Sequence, residues 1–232
     1  MQPVKDKPKT FSDIMNDELE RQTSLEDLKK LRGAYPNLPA QGIDDLTTGS
    51  LENHFLIAMP TLHDPFFRRT VTYICEHSSE GAMGLIINHP IDINVDELLS
   101  KIDIDTSGID QSLPNTVYSG GPVQTDRGFV LHSPQHGWNS SLRLSDQIMV
   151  TTSKDILEAI AINNSPDHFI ITLGYSGWTA GQLEQELTQN SWLTIPADPD
   201  LLFNIPPHLR WEKAAEKLGV DMRQISLDIG HA

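Results

Sequence analysis

After residue 50, apolar side chains fall into short runs with a two-residue period, each closed by Gly, Pro, Asn or Ser. HFLIAM, TVTYICEH, AMGLIINH, NTVYSG, GFVLH, QIMVTT, HFIITLG and WLTIP all read as strands, and their short spacings favour antiparallel hairpins. Helical spacing interrupts them. VDELLSKI follows Asn94 as N-cap with Glu97 three residues on, SKDILEAIAIN starts from Ser153, and Thr179 with Gln182 forms a capping box ahead of QLEQELTQN. A last helix through RWEKAAEKL carries an apolar stripe of Trp211, Ala214, Ala215 and Leu218, preceded by Pro206-Pro207 and stopped by Gly219. Strands in runs with helices between some of them predict an α+β domain over residues 51–232.

Residues 1–50 differ. Phe11, Ile14, Met15, Leu19, Leu25, Leu28 and Leu31 follow helical spacing between proline-broken and polar flanks, predicting one or two marginal amphipathic helices on a linker. That extension is either a weakly ordered tail or a partner-docking arm.

Charge narrows the functional classes. The formal net charge is −15; residues 1–50 hold 7 of the 17 Lys+Arg and 9 of the 32 Asp+Glu, which leaves −2 there and −13 on the remainder. Such a surface repels phosphates, and the one adjacent basic pair after residue 50 is Arg68-Arg69, so direct nucleic-acid binding is disfavoured. The longest apolar run, Phe55 to Met59, is far below the roughly 20 residues a membrane helix needs. The charged opening MQPVKDKPKT has no apolar core of a secretion signal, and one cysteine forms no disulfide alone, so a cytoplasmic location is expected.

That cysteine sits in YICEHSSEGAMG. Alternation places Val71, Tyr73, Cys75 and His77 on one strand face; with Ser78 to Gly81 as the hairpin loop, His77 pairs with Ala82 and Cys75 faces Gly84. A nucleophilic thiol needs a nearby cation or helix N-terminus and a base within reach. Glu76 is an anion and His77 is about 7 Å along an extended chain, so Cys75 reads as a small buried hydrophobe. A redox-sensitive thiol at Cys75, aided by His77, is the alternative.

Other constellations fail on spacing. GYSGW (174–178) approaches a G-x-S-x-G nucleophile elbow, but Trp178 stands where the second glycine belongs. Gly177 is read instead as a sharp turn and Trp178 as packing, with the amides of the following helix start open to an anion. SGGPV (119–123) lacks the Gly-Lys-Ser/Thr of a phosphate loop and reads as a glycine-bent strand end. His63, His77, His89, His132 and His136 form no metal-ligand spacing, Glu184 and Glu186 point to different helix faces, and no motif requires a cofactor.

Taken in order, HDPFFRRTVTYICEHSSEGAMGLIINHP, SGGPV, GFVLH, TTSKDILEAIA, LGYSGWTAGQLEQEL and LLFNIPPHLRWEKAAEKLGVD resemble the YqgE/AlgH family of bacterial proteins over roughly residues 51–231. The resemblance implies a single α+β domain with a bifurcated, mostly antiparallel β-sheet curled into a pseudo-barrel and helices packed on it. It also implies a role in transcriptional control of exopolysaccharide synthesis, without an established DNA-binding motif and without settled catalytic residues. The leading expectation is a non-enzymatic regulatory or interaction protein acting through a protein partner or small ligand. Its surface candidates are Arg68, Arg69, Glu76, His77, Gly120, Gly121, Tyr175, Ser176, Gly177 and Trp178, which stand at expected strand ends and loops.

Overall fold

A computed structural model describes residues 49–222. The helices expected within residues 10–34 lie outside the described residues. The elements are β1 (His54–Ala58), β2 (Val71–Ser78), β3 (Gly81–Ile86), β4 (Pro90–Asn94), α1 (Val95–Lys101), β5 (Thr116–Ser119), β6 (Val123–His132), β7 (Ser141–Arg143), β8 (Met149–Thr151), α2 (Lys154–Ala161), β9 (Phe169–Thr179), α3 (Gln182–Thr188), β10 (Trp192–Pro196), a π-helical turn (Asp200–Asn204) and α4 (Pro207–Glu216). All eight expected strand segments are present. β4 and β7 were not expected: Pro90 removes a ladder donor, and SLR offers three residues with little apolar character.

The sheet runs β10-β1-β2-β3-β9-β6-β8-β7, with β4 and β5 branching from β9, and curls into a half-barrel. Every pairing is antiparallel except β5 with β9. The branch is the bifurcation. At Ile171–Leu173, β9 lies between β5 and β6, whereas at Ser176–Thr179 the side that held β5 is taken by β3. Glycines make the fork passable: a Cβ on Gly120 would lie 2.2 Å from the Gly174 carbonyl oxygen, and one on Gly121 2.2 Å from the Tyr175 carbonyl carbon. The Gly120 carbonyl then ties the branches, accepting from the Ile86 amide (2.9 Å) and the Ser176 hydroxyl (3.3 Å).

Three apolar clusters fill the fold. Phe55, Tyr73, Leu85, Leu131 and Leu202 pack with Trp211, Ala214 and Ala215 of α4. Leu98, Leu99, Ile156 and Ile160 seat α1 and α2 on Val130 and Ile171. Leu56, Ile74, Trp178, Leu183 and Trp192 lie under α3. Asn94 makes the full capping box with Glu97. At α3 only half the expected box forms, the Gln182 side-chain oxygen accepting from the Thr179 amide, and the helix begins after Gly181 at φ 75°. Leu218 leaves the expected stripe, being 42% exposed beyond the end of α4.

Candidate functional site

The β2–β3 hairpin keeps one half of its expected register and loses the other. His77 pairs with Ala82 and Ser78 with Gly81, but Gly84 faces Ile74, because Cys75 is the extra residue of a β-bulge between Ile74 and Glu76. A bulge resets the alternation. Val71, Tyr73 and Cys75 share the main core, as alternation predicts, while His77 turns to the opposite face. There its Nδ1 accepts from the Leu51 amide at 2.8 Å and its Nε2 meets the Glu184 carboxylate at 2.8 Å. The one base expected near the thiol therefore serves α3 and the chain entering β1.

Cys75 is buried, and its Sγ lies 4.0 Å from the Tyr73 carbonyl. Burial pushes the thiol well above its ordinary value, and the Glu76 and Glu52 carboxylates push the same way. Glu76 is half-buried and itself raised, first by desolvation and then by Glu52. Burial and both carboxylates oppose an anionic sulfur, which is the reverse of what activates a thiol.

GYSGW is not a strand-to-helix elbow. The whole pentapeptide continues β9, the turn comes after Thr179, and Gly177 is extended strand paired with Met83. Ser176 is fully buried with its hydroxyl on the Gly120 carbonyl. Trp178 packs as expected, against Phe67 and Trp192, and both indole N–H groups donate to Glu186 Oε2 at 2.9 and 2.8 Å. His132 is buried between Thr151 and the Ser133 carbonyl, and burial lowers its pKa. Among the described residues no group of three or more His, Cys, Asp or Glu is placed to hold a metal ion.

The surface candidates thus occupy three places. Gly120, Gly121, Tyr175 and Ser176 build the fork. Glu76, His77, Gly177 and Trp178 stand in register across β2, β3 and β9, on alternating faces. Arg68 and Arg69 are on the exposed loop from β1 to β2, beside Phe66 at 54% exposure.

That loop is built for display. Asp64 Oδ1 accepts the Phe66 and Phe67 amides at 2.8 and 3.2 Å, turning the chain so that Phe67 packs on Trp178 and Trp192 and Phe66 points to solvent. Arg69 is left-handed at φ 55°, and Asn88 clamps it, donating to the Arg69 carbonyl (2.8 Å) while accepting from the Val71 amide (2.7 Å). His89 bonds to the Arg68 carbonyl. The Arg69 guanidinium lies 5.3 Å over Trp211, whose neighbour Arg210 is 2% exposed, donates to the Ile87 and Ile205 carbonyls and lies 5.4 Å from the Tyr118 ring. Residues 87–89 are therefore held by the carbonyls of Arg68 and Arg69 and by the guanidinium of Arg210. None of these three arginines has a carboxylate partner among the described residues, whereas Arg143, Lys213 and Lys217 do. Sequence reading found the Arg68-Arg69 pair but not Asn88, His89 or Arg210, which carry no motif and join the loop only through the fold.

Residues 55–223 match the model of a family described as AlgH-like. The chain belongs to the AlgH-like family. A UPF0301 protein of Pseudoalteromonas translucida is 61% identical over 183 residues, covering 79% of this chain and 99% of that protein. A UPF0301 protein of Vibrio cholerae is 54% identical over 186 residues, covering 79% of this chain and 100% of its own length. The solution structure of the AlgH protein from Pseudomonas aeruginosa is 45% identical with a TM-score of 0.65, covering 83% of this chain and 100% of that one. A crystal structure from Corynebacterium diphtheriae, 19% identical with a TM-score of 0.62 over 79% of this chain and 94% of that one, shares the fold. Membership fixes the fold and leaves the activity to be read from the residues.

Proposed function

We propose that this is a cytoplasmic, non-enzymatic regulatory protein that works by holding a protein partner on the face made by Phe66, Arg68 and Arg69. One observation carries the reading: an exposed aromatic ring stands beside two exposed arginines that have no carboxylate partner among the described residues, on a body whose net charge is −13. Exposed aromatics and arginines are the residue types that anchor protein interfaces, and a cationic spot in an acidic field selects for a partner with local negative charge. The regulatory part rests on the resemblance to AlgH-like proteins. Phosphate polymers fit poorly, because the same acidic field repels them over their length. The thiol alternative is weakened by the burial of Cys75 and by the turning away of His77.

The test uses a host that carries this gene. Deleting it changes a set of transcripts; the wild type and a Cys75→Ala variant restore them, and a Phe66→Ser, Arg68→Glu, Arg69→Glu variant, folded by circular dichroism, does not. Full restoration by the triple variant, or no transcript change on deletion, overturns the proposal.

A further inference from the structure

The same face has a candidate occupant inside the chain. Residues 11–20, FSDIMNDELE, place Asp13, Asp17, Glu18 and Glu20 among Phe11, Ile14, Met15 and Leu19, with no basic residue between them. The described body carries a net negative charge, so on average it repels this segment, least where cations have no carboxylate partner among the described residues. Arg68 and Arg69, with Phe66 beside them, form such a place.

We infer that the acidic amphipathic segment 11–20 docks on the Phe66–Arg69 face of its own chain and occludes it. The inference rests on the proposed partner face and supplies its regulation: a partner must displace the arm. Reach is not limiting. The 28 residues between Glu20 and Gly49 extend to about 90 Å at roughly 3.3 Å each, against a diameter near 40 Å for a domain of this size. Nor is weak affinity, because tethering gives effective concentrations on the order of millimolar, so a face of one ring and two guanidiniums is enough to be populated. The relatives show that the body does not need the arm: about 79% of this chain accounts for 99% or 100% of their own lengths, and the family match begins at residue 55.

The experiment compares amide nuclear magnetic resonance spectra of the full chain and of residues 49–232. Shifts are expected to differ at Phe66–Arg69, Asn88 and His89, and little elsewhere. Raising the salt to about 1 M, where the Debye length is about 3 Å, brings the full-chain peaks onto those of the short chain. So does reversing the arm with Asp13→Lys, Asp17→Lys, Glu18→Lys and Glu20→Lys, substitutions that leave the body untouched. Coincident spectra, differences on another face, differences that survive arm reversal, or differences that fade on dilution each overturn the inference. The readout needs no partner, so its failure is separate from failure of the transcript test above.

Discussion

Cys75 offers the clearest test of whether the molecule does covalent chemistry. A buried thiol with its pKa raised by burial and two carboxylates reacts only when the chain opens. Even at a modest stability of about 5 kcal/mol, roughly one molecule in 5,000 is open at any moment. Modification by a disulfide reagent at mildly alkaline pH should therefore be at least about a thousandfold slower in the native protein than in urea above the unfolding midpoint. Stability gives an independent limb. The Sγ is 4.0 Å from the Tyr73 carbonyl, too far for a hydroxyl to bond without a shift, so Cys75→Ser buries an unpaired polar group at about 1–3 kcal/mol. Cys75→Ala empties only a methyl-sized space, costing about 1 kcal/mol. Urea titrations should thus rank wild type above alanine and alanine above serine. Native modification as fast as in urea, with a midpoint near the ordinary cysteine value of about 8.5, would refute the buried-filler argument.

The remaining expectations are smaller in scope. Glu186→Ala strands two indole N–H groups and should cost about 2–3 kcal/mol in urea unfolding, whereas Glu186→Gln, whose amide oxygen still accepts, should cost under about 1 kcal/mol. Thr172→Val removes a buried hydroxyl that has no hydrogen-bond partner among the described residues and keeps the shape, so stability should hold or rise by up to about 1 kcal/mol. His89 and His132 are both held below the ordinary 6.5 by burial, so the unfolded chain binds protons first as pH falls below that value. Stability should fall with acidification from about pH 6.5, and His132→Asn should flatten that slope even while lowering stability at neutral pH. Arg69→Gly relieves a left-handed side chain of about 1 kcal/mol and gives up a ring contact of similar size, so the melting midpoint should barely move while transcript restoration is lost.

Period-two alternation revealed every long strand because each buries at least one face, as in Phe55, Ile57, Tyr73 and Leu85. It missed β4 and β7, whose positions are half-exposed and whose pairing depends on neighbours distant in sequence. The bulge at Cys75 is the more instructive miss. The bare Cα of Gly84 leaves room for Thr72 and Ile74 side-chain atoms from across the ladder, a contact made only once the strands pair, and nothing local in YICEH announces the slip. One residue of register moved His77 away from the thiol and toward Glu184. GYSGW misled in the opposite sense, since two glycines and a serine suggested a turn, whereas Gly174 answers close backbone approach at the fork and Gly177 is extended strand.

Local rules are broken most densely around residues 87–89. Arg69 adopts a backbone region that disfavours side chains, Asn88 is a buried amide that bonds to the neighbouring loop on both sides of Thr70, and Arg210 is a buried cation without a carboxylate partner among the described residues. Each departure has a cost, and a chain with 32 acidic residues had ready means to neutralise Arg210. An aspartate within reach would pair the guanidinium and also cancel the positive field at the loop. Carbonyl dipoles and the Tyr118 ring instead stabilise the charge without quenching it. Concentrated departures of this kind are expected where a surface is shaped for something other than stability, and here they adjoin Arg69, on the loop that carries Phe66.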